Sequence, residues 1–449
     1  SGSIEFADVD QDFDEDLILT GETDAGFIAK LYMNDGNGNF TERTEVPFEG
    51  VVNSYVAFGD VNGDDNLDVL ISGLNEQEEL ITKLYLNDGQ GFFTESVEES
   101  FSGVKQGSID FADIDNDGDK DLLLSGDGLS PITELYVNDG KGKFTEIPNT
   151  PFLDVYLSSS AFADIDNDGD QDVLISGWDV TGFPISELYL NDGTGEFTED
   201  KSAQISPAGS SSIEFEDFDS DGDVDLVLSG RSPSLVPFTE LYINNGSGDF
   251  SLREGGSISG ISAGEISSAD IDNDGDKDLL ITGQSTGIGG LTELYTNDGS
   301  GNFTELISSS FLGVSFSSAA FSDIDLDGDQ DLIIMGLPEE APFFSTEVYI
   351  NQGSSTSLGD VHTGFDVNLF PNPSSGTINL AIATTFKAEL TVEMLDIQGK
   401  LLSQNILELG PSTQIKIEIP THSLSNGLYL LRLVEDNRLV SLHRVNIAK

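Results

Sequence analysis

The 449-residue sequence contains no cysteine, three histidines and one tryptophan, and sets only 18 lysines and arginines against 82 aspartates and glutamates. Without cysteine there is neither a disulfide scaffold nor a thiol nucleophile, although many secreted proteins share that lack and it fixes no compartment. His362, His422 and His443 all lie beyond residue 361, so the preceding chain has no imidazole for acid–base chemistry. No apolar run reaches membrane-spanning length, which argues against direct membrane insertion. The shortage of bases leaves a formal net charge of −64, which makes nucleic acid and anionic membranes poor partners. No signal peptide opens the chain; it starts at Ser1 inside a repeat, from which a preceding N-terminal portion is expected.

The charge is concentrated. Residues 1–360 hold 74 acids and 11 bases, whereas residues 361–449 hold 8 acids and 7 bases, so the composition changes near residue 360. Self-repulsion in the first part calls for a bound cation. Regular apolar runs between the acidic clusters argue against disorder.

Those clusters begin at Asp8, Asp60, Asp113, Asp164, Asp217, Asp270 and Asp323, separated by 52, 53, 51, 53, 53 and 53 residues. Seven copies at one period define a repeat fold. In the third copy, strands are expected at 107–112, 122–125, 134–137 and 143–147, with an acidic loop at 113–121. The turn Asn138-Asp139-Gly140-Lys141-Gly142 is a hairpin signal, because its glycines supply positive φ. Four short antiparallel strands per copy make one propeller blade, and two tight hairpins per copy favour a closed propeller over a linear solenoid. First strands rich in Ser, Ala and Gly suit a crowded axis. Each has one Phe two residues before its acidic loop (Phe6, Phe58, Phe111, Phe162, Phe215, Phe321), except copy six, which has Ser268. Copy seven lacks the Phe-Thr-Glu fourth strand, which leaves an open edge.

The third loop reads Asp113-Ile-Asp115-Asn-Asp117-Gly118-Asp119-Lys-Asp121, with acids at positions 1, 3, 5 and 9 and glycine at 6. Alternate carboxylates converge on one point and all-oxygen ligation selects calcium; without an ion, each close carboxylate pair would cost roughly a few kcal/mol. The same ligand positions are Asp164, Asp166, Asp168 and Asp172; Asp217, Asp219, Asp221 and Asp225; Asp270, Asp272, Asp274 and Asp278; and Asp323, Asp325, Asp327 and Asp331. Copies one (Asp8, Asp10, Asp12, Asp16) and two (Asp60, Asn62, Asp64, Asp68) depart, with Phe13 and Asp65 at position 6. Up to seven Ca2+ ions are expected, one per blade.

These residues resemble the FG-GAP or VCBS repeats of integrin α-subunit propellers and many bacterial surface proteins. The resemblance implies a propeller with structural metals between the first and second strands of each blade.

Beyond the linker the pattern becomes alternating strands around Ile378–Ile382, Leu390–Met394, Ile415–Ile419 and Tyr429–Leu433, read as a small β-sandwich. Leu369-Phe-Pro-Asn-Pro-Ser-Ser-Gly376, Leu395-Asp-Ile-Gln-Gly-Lys400 and Leu424-Ser-Asn-Gly-Leu-Tyr429 resemble the C-terminal sorting domain of type IX secretion cargo. That implies engagement of the type IX machinery by residues 365–449, passage through the periplasm of a Bacteroidetes-type bacterium, and delivery outside or to the outer surface. The expected whole is all-β: a seven-bladed calcium-binding propeller over residues 1–352, a linker over 353–364 and a sorting domain over 365–449.

For function, what repeats holds the fold and what occurs once is free to serve a ligand. Tyr32, Tyr85, Tyr136, Tyr189, Tyr242, Tyr295 and Tyr349 share one strand position and are blade packing, as are Phe48, Phe101, Phe152 and Phe311. Trp178, Phe183, Tyr156, Phe27, Phe343 and Phe344 lack equivalents in most blades and are the candidate ligand-binding residues, expected opposite the acidic loops. The favoured reading is a non-enzymatic, adhesin-like protein for an extracellular glycan or protein. Its rivals are a calcium-dependent polysaccharide lyase, disfavoured because Arg43, Arg231 and Arg253 are the repeats' only arginines, and a structural subunit exchanging strands at the open seventh blade.

Overall fold

The structure, a computed structural model, describes residues 2–97, 99–253, 255, 258–287, 289–307, 311–338, 344–351, 365–370, 377–384, 388–396, 400–409, 413–420, 427–435 and 438–447. The described residues form an all-β protein of repeated antiparallel sheets with no helix, and therefore no helix long and apolar enough to cross a membrane. The chain divides into two compact units, Ser1–Leu358 and Gly359–Lys449.

In the first unit each copy lays down its strands in order, every strand antiparallel to the one before. The third copy has strands Lys105–Ala112, Asp121–Asp127, Pro131–Asn138 and Phe144–Glu146. The first begins two residues earlier than the pattern suggests, because a register shift between Ser125 and Asp127 accommodates Gln106 at φ 53°. The fourth strand proper covers Phe144, Thr145 and Glu146, opposite Asn138, Val137 and Tyr136, and single backbone bonds extend it at either end, Ile147 donating to Leu135 at 2.8 Å and Lys143 accepting from Asp139 at 3.1 Å.

Second strands are continuous apolar runs. Leu122, Leu123 and Leu124 are buried, as are Val173, Leu174 and Ile175, because these strands are covered on both faces. The repeated tyrosines clamp this packing. Tyr85 meets Phe48 edge-on with ring centroids 5.0 Å apart, and its hydroxyl accepts the backbone N–H of Glu49 at 3.2 Å. Phe101–Tyr136, Phe152–Tyr189 and Phe311–Tyr349 repeat the ring contact. Ser268, which breaks the phenylalanine pattern, donates its hydroxyl to Glu214 at 2.5 Å.

Neighbouring copies are stitched together by single bridges such as Ile28↔Val51 and Ile132↔Val155, and by hydroxyl pairs such as Thr20–Ser54 and Ser125–Ser158, both 2.8 Å. The seventh copy also touches the first: the backbone N–H of Ile4 donates to the Ser318 hydroxyl at 3.1 Å. The second unit contains two antiparallel sheets, one of the strands at 365–370, 377–384 and 413–420, the other of the strands at 388–396, 401–409, 427–435 and 438–447. Leu390, Val392 and Met394 turn alternate side chains inward along one strand.

Candidate metal loops and the opposite rim

Each acidic loop connects a first strand to a second. In the third copy Asp113 accepts N–H groups from Asp117 (3.1 Å) and Gly118 (3.0 Å), while Asp117 accepts one from Asp119 (3.0 Å). Asp121, the first residue of its second strand, accepts from Ile114 (3.0 Å) and Asn138 (2.8 Å). These bonds aim the carboxylates inward: the ligand oxygens of Asp113, Asp115 and Asp121 lie within 4.8 Å of one another. The equivalent triads Asp8/Asp10/Asp16, Asp217/Asp219/Asp225 and Asp270/Asp272/Asp278 do the same, and in copy four Asp164, Asp166 and Asp168 converge.

The loop bends through a left-handed residue at position 6 in all seven copies, at φ 94–99° for Gly118, Gly169, Gly222, Gly275 and Gly328. Phe13 (φ 73°) and Asp65 (φ 65°) hold the same bend without glycine, at a cost of roughly 1–2 kcal/mol each. The first two loops thus keep the fold of the others. Copy two still differs in chemistry, because the Asn62 amide donates to Asp68 at 3.2 Å, turning a donor into the cluster.

In copies one, three, four, five and six a position-3 oxygen is left without a donor. Oδ1 of the position-3 residues Asp10, Asp115, Asp166, Asp219 and Asp272 is buried and has no hydrogen-bond partner. A buried carboxylate oxygen without a donor is costly unless something cationic reaches it. Burial and the neighbouring carboxylates raise the pKa of all five. Burial likewise raises every position-9 carboxyl, Asp16, Asp68, Asp225 and Asp331 to about 7 and Asp121, Asp172 and Asp278 to about 6, against the opposing pull of two backbone N–H donors. Several loops can therefore hold a metal ion, with donor atoms of the hard, all-oxygen type.

Sequence pattern missed the residue that connects the loops. The asparagine opening each Asn-Asp-Gly turn was legible only as turn chemistry. In the structure the Asn138 amide donates to the Lys120 carbonyl of its own loop (3.0 Å) and to the Val61 carbonyl of the preceding loop (2.7 Å). Asn87, Asn191, Asn244, Asn297 and Asn351 make the same backward bond to Val9, Ile114, Ile165, Phe218 and Ile271. Asn34 reaches Ile324 of the seventh copy at 2.8 Å. Recurrence of this asparagine in all seven copies was the available signal.

The candidate aromatics sit at the far end of the second strands, about 20 Å from the acidic loops at ~3.3 Å per residue. Tyr156 and Trp178 face each other across paired strands. The Trp178 indole donates to the Ser210 hydroxyl at 3.2 Å and lies so close over Gly209 that a Cβ there would come within 2.3 Å of it. Phe183, in the turn that follows, is 51% exposed. Tyr156, Trp178 and Phe183 therefore come together in copy four. Phe27 lies in copy one, paired with Glu22, and Phe344 lies half-buried in copy seven. Phe343 falls outside the described residues.

First strands also bring Glu5, Asp110, Glu214 and Glu265 to cavities that share Glu5. Surrounded by protein yet reached by water, these carboxyls are raised chiefly by desolvation, Glu5 to about 8 and the others to about 7. Strand alternation alone does not reveal that they converge.

Residues 8–71, 75–124, 126–175, 217–281 and 270–334 match the FG-GAP-like repeat, and residues 368–447 match the secretion system C-terminal sorting domain. A T-cell immunomodulatory protein homolog from Plasmodium yoelii yoelii is 26% identical over 263 residues, which span 50% of this chain but only 37% of that protein. Among solved structures, the dimeric latent PorU from Porphyromonas gingivalis is similar over 88% of this chain and 34% of its own, at 14% identity and a TM-score of 0.18. The tetra-tandem repeat of the extending region of a large adhesion protein is similar over 100% of both chains, at 11% identity and a TM-score of 0.17. Both scores are too low to bear on shared architecture.

Proposed function

Because this chain belongs to the FG-GAP-like repeat family and ends in a type IX secretion sorting domain, we propose that it is a calcium-loaded, seven-bladed propeller that binds an extracellular glycan or protein. The sorting domain marks the chain as secreted cargo for the cell surface or beyond and implies contact with the type IX machinery. FG-GAP-like repeats suggest binding rather than catalysis. Closure into seven blades is supported by the bonds from copy one to copy seven, Ile4 to Ser318 and Asn34 to Ile324.

The observation behind calcium is the buried, unpartnered position-3 oxygen repeated in loop after loop. Position-1, position-3, position-5 and position-9 carboxylates would hold the ion, which would supply charge neutralisation and cross-link the loop; all-oxygen ligation with no His or Cys in the loops favours calcium. Asp8, Asp10, Asp12 and Asp16 are included, whereas Asn62 weakens the second site. Ligand contact is assigned to the rim carrying Tyr156, Trp178 and Phe183, whose ring faces can stack on sugars.

The test is a glycan-array screen of the protein in calcium and in chelator, with a thermal melt of each sample. Calcium-dependent stabilisation with selective glycan binding supports the proposal. Equal melting temperatures would remove calcium from it, and stabilisation without a glycan hit would leave a protein ligand. A second reading, strand exchange, is favoured by the strand Ser345–Tyr349, which among the described residues pairs only with the strand at Asp331–Pro338. Calcium-dependent polymers in solution would support that reading instead.

A further inference from the structure

A second set of bonds joins the acidic loops, and it is not continuous around the ring. Position 4 of each loop stands between ligand positions 3 and 5 and is left-handed throughout, at φ 56–72°. From there Asn116 donates its amide to Asp170, at position 7 of the next loop, at 2.7 Å. Asn167 reaches Asp223 at 2.9 Å, Ser220 reaches Asp276 at 3.3 Å, and Asn273 reaches Asp329. Each position-7 residue then donates its own N–H to the position-5 carboxylate of its loop: Asp170 to Asp168 and Asp223 to Asp221, both at 3.0 Å. A path of two hydrogen bonds thus runs from the ligand segment of one loop to a ligand of the next, through loops three to seven.

The path is interrupted twice. Loop two has Gly63 at position 4, with no side chain to offer Asp119. Loop seven has Leu326, which approaches the Gly36 turn of copy one, and Asp14 at position 7 of loop one keeps a buried Oδ1 with no hydrogen-bond partner. Loops one and two retain a link of their own, since the Gln11 amide donates to Asn66 at 2.8 Å.

Resting on the calcium reading above, we infer that the metal sites fill as two cooperative blocks, loops three to seven and loops one to two, with the position-4 side chains as the coupling residues. Ordering one loop fixes position 7 of the next and so prepares its position-5 carboxylate, and a neighbour that is already ordered loses less freedom on binding. Calcium bound at loop three should therefore tighten loops four to seven more than loop two, which shares with loop three the Asn138 clasp common to neighbouring loops but not a position-4 bond.

The experiment is isothermal titration of the chelator-stripped full chain with calcium chloride. It compares the natural sequence, the triple variant Asn116→Gly/Asn167→Gly/Asn273→Gly, and Gly63→Asn. Glycine keeps the left-handed backbone while removing the donor. The natural chain should give a steep phase with a Hill coefficient above about 2, and the triple variant, which keeps the Ser220–Asp276 link, a clearly lower coefficient of about 1 to 1.5, with midpoints roughly fivefold weaker. Gly63→Asn should move loop two into the steep phase. A natural chain that takes up no calcium overturns the calcium reading and the coupling with it. Calcium uptake with a Hill coefficient near 1 in the natural chain, or equal steepness in the triple variant, overturns the coupling alone. Should the triple variant fail to fold, Gly63→Asn decides: an isotherm identical to that of the natural chain overturns the proposal.

Discussion

The two ends of the second strands obey opposite rules. At the acidic end the same side chains recur copy after copy: a position-9 aspartate held by two N–H groups, and an asparagine reaching back to the neighbouring loop. At the other end the residue after the strand glycine is Glu22, Leu74, Asp127, Trp178, Arg231, Gln284 or Leu337. The backbone frame is shared while the chemistry is not. Repetition marks what closes and stabilises the fold, and its loss marks surface released from that duty.

Removing the cation proposed for the repeated end should have the largest effect. Chelation should lower the melting temperature by roughly 20 °C, since several sites each add stability by mass action; a scanning-calorimetry trace unmoved by chelator would erase the distinction between the ends. Asn191→Ala comes next. It leaves the Ile114 and Gln171 carbonyls without their donor, which should cost about 2 kcal/mol by urea denaturation, and a neutral result would mean that the backward bonds do not hold the copies together.

Smaller, and set by pH, is the effect of the first-strand carboxyls. Glu5 has a folded pKa of about 8 against an ordinary 4.5, so its protonated form favours the fold. Stability is then greatest below the ordinary value and falls as pH rises from about 4.5 to about 8. Glu5→Gln should raise the melting temperature at pH 8 and leave it unchanged at pH 4.5; the same shift at both would refute a charge effect. Smallest on stability is Trp178→Ala, within about 2 °C, although it should weaken glycan or protein binding at least ~10-fold. A large loss of stability with unchanged binding would make the indole a packing residue and blur the two ends into one.

Much of this was legible because the physics is local. The 51–53-residue period, the Asn-Asp-Gly turns and the acidic loops each depend on neighbours in sequence. What could not be read depends on the path between copies. Asn138 and Val61 are 77 residues apart, and no spacing rule pairs them. Ser268 looked like a lapse in a phenylalanine pattern, yet its hydroxyl serves the Glu214 carboxylate of the preceding copy. Gln106 was expected to precede its strand; instead it is a left-handed residue inside it, a conformation that glutamine does not advertise.

The backward reach of the asparagines also sets an order in time. A chain emerging from its N-terminus presents the loop at Asp60 long before Asn138 exists to clasp Val61, so each loop stays unfinished until the following copy has been made. The last loop alone reverses this order: Asn34, in the first copy, is made before the Ile324 it clasps. The first copy thus carries the final fastener, and a chain stopped anywhere short of the seventh acidic loop would hold that fastener open.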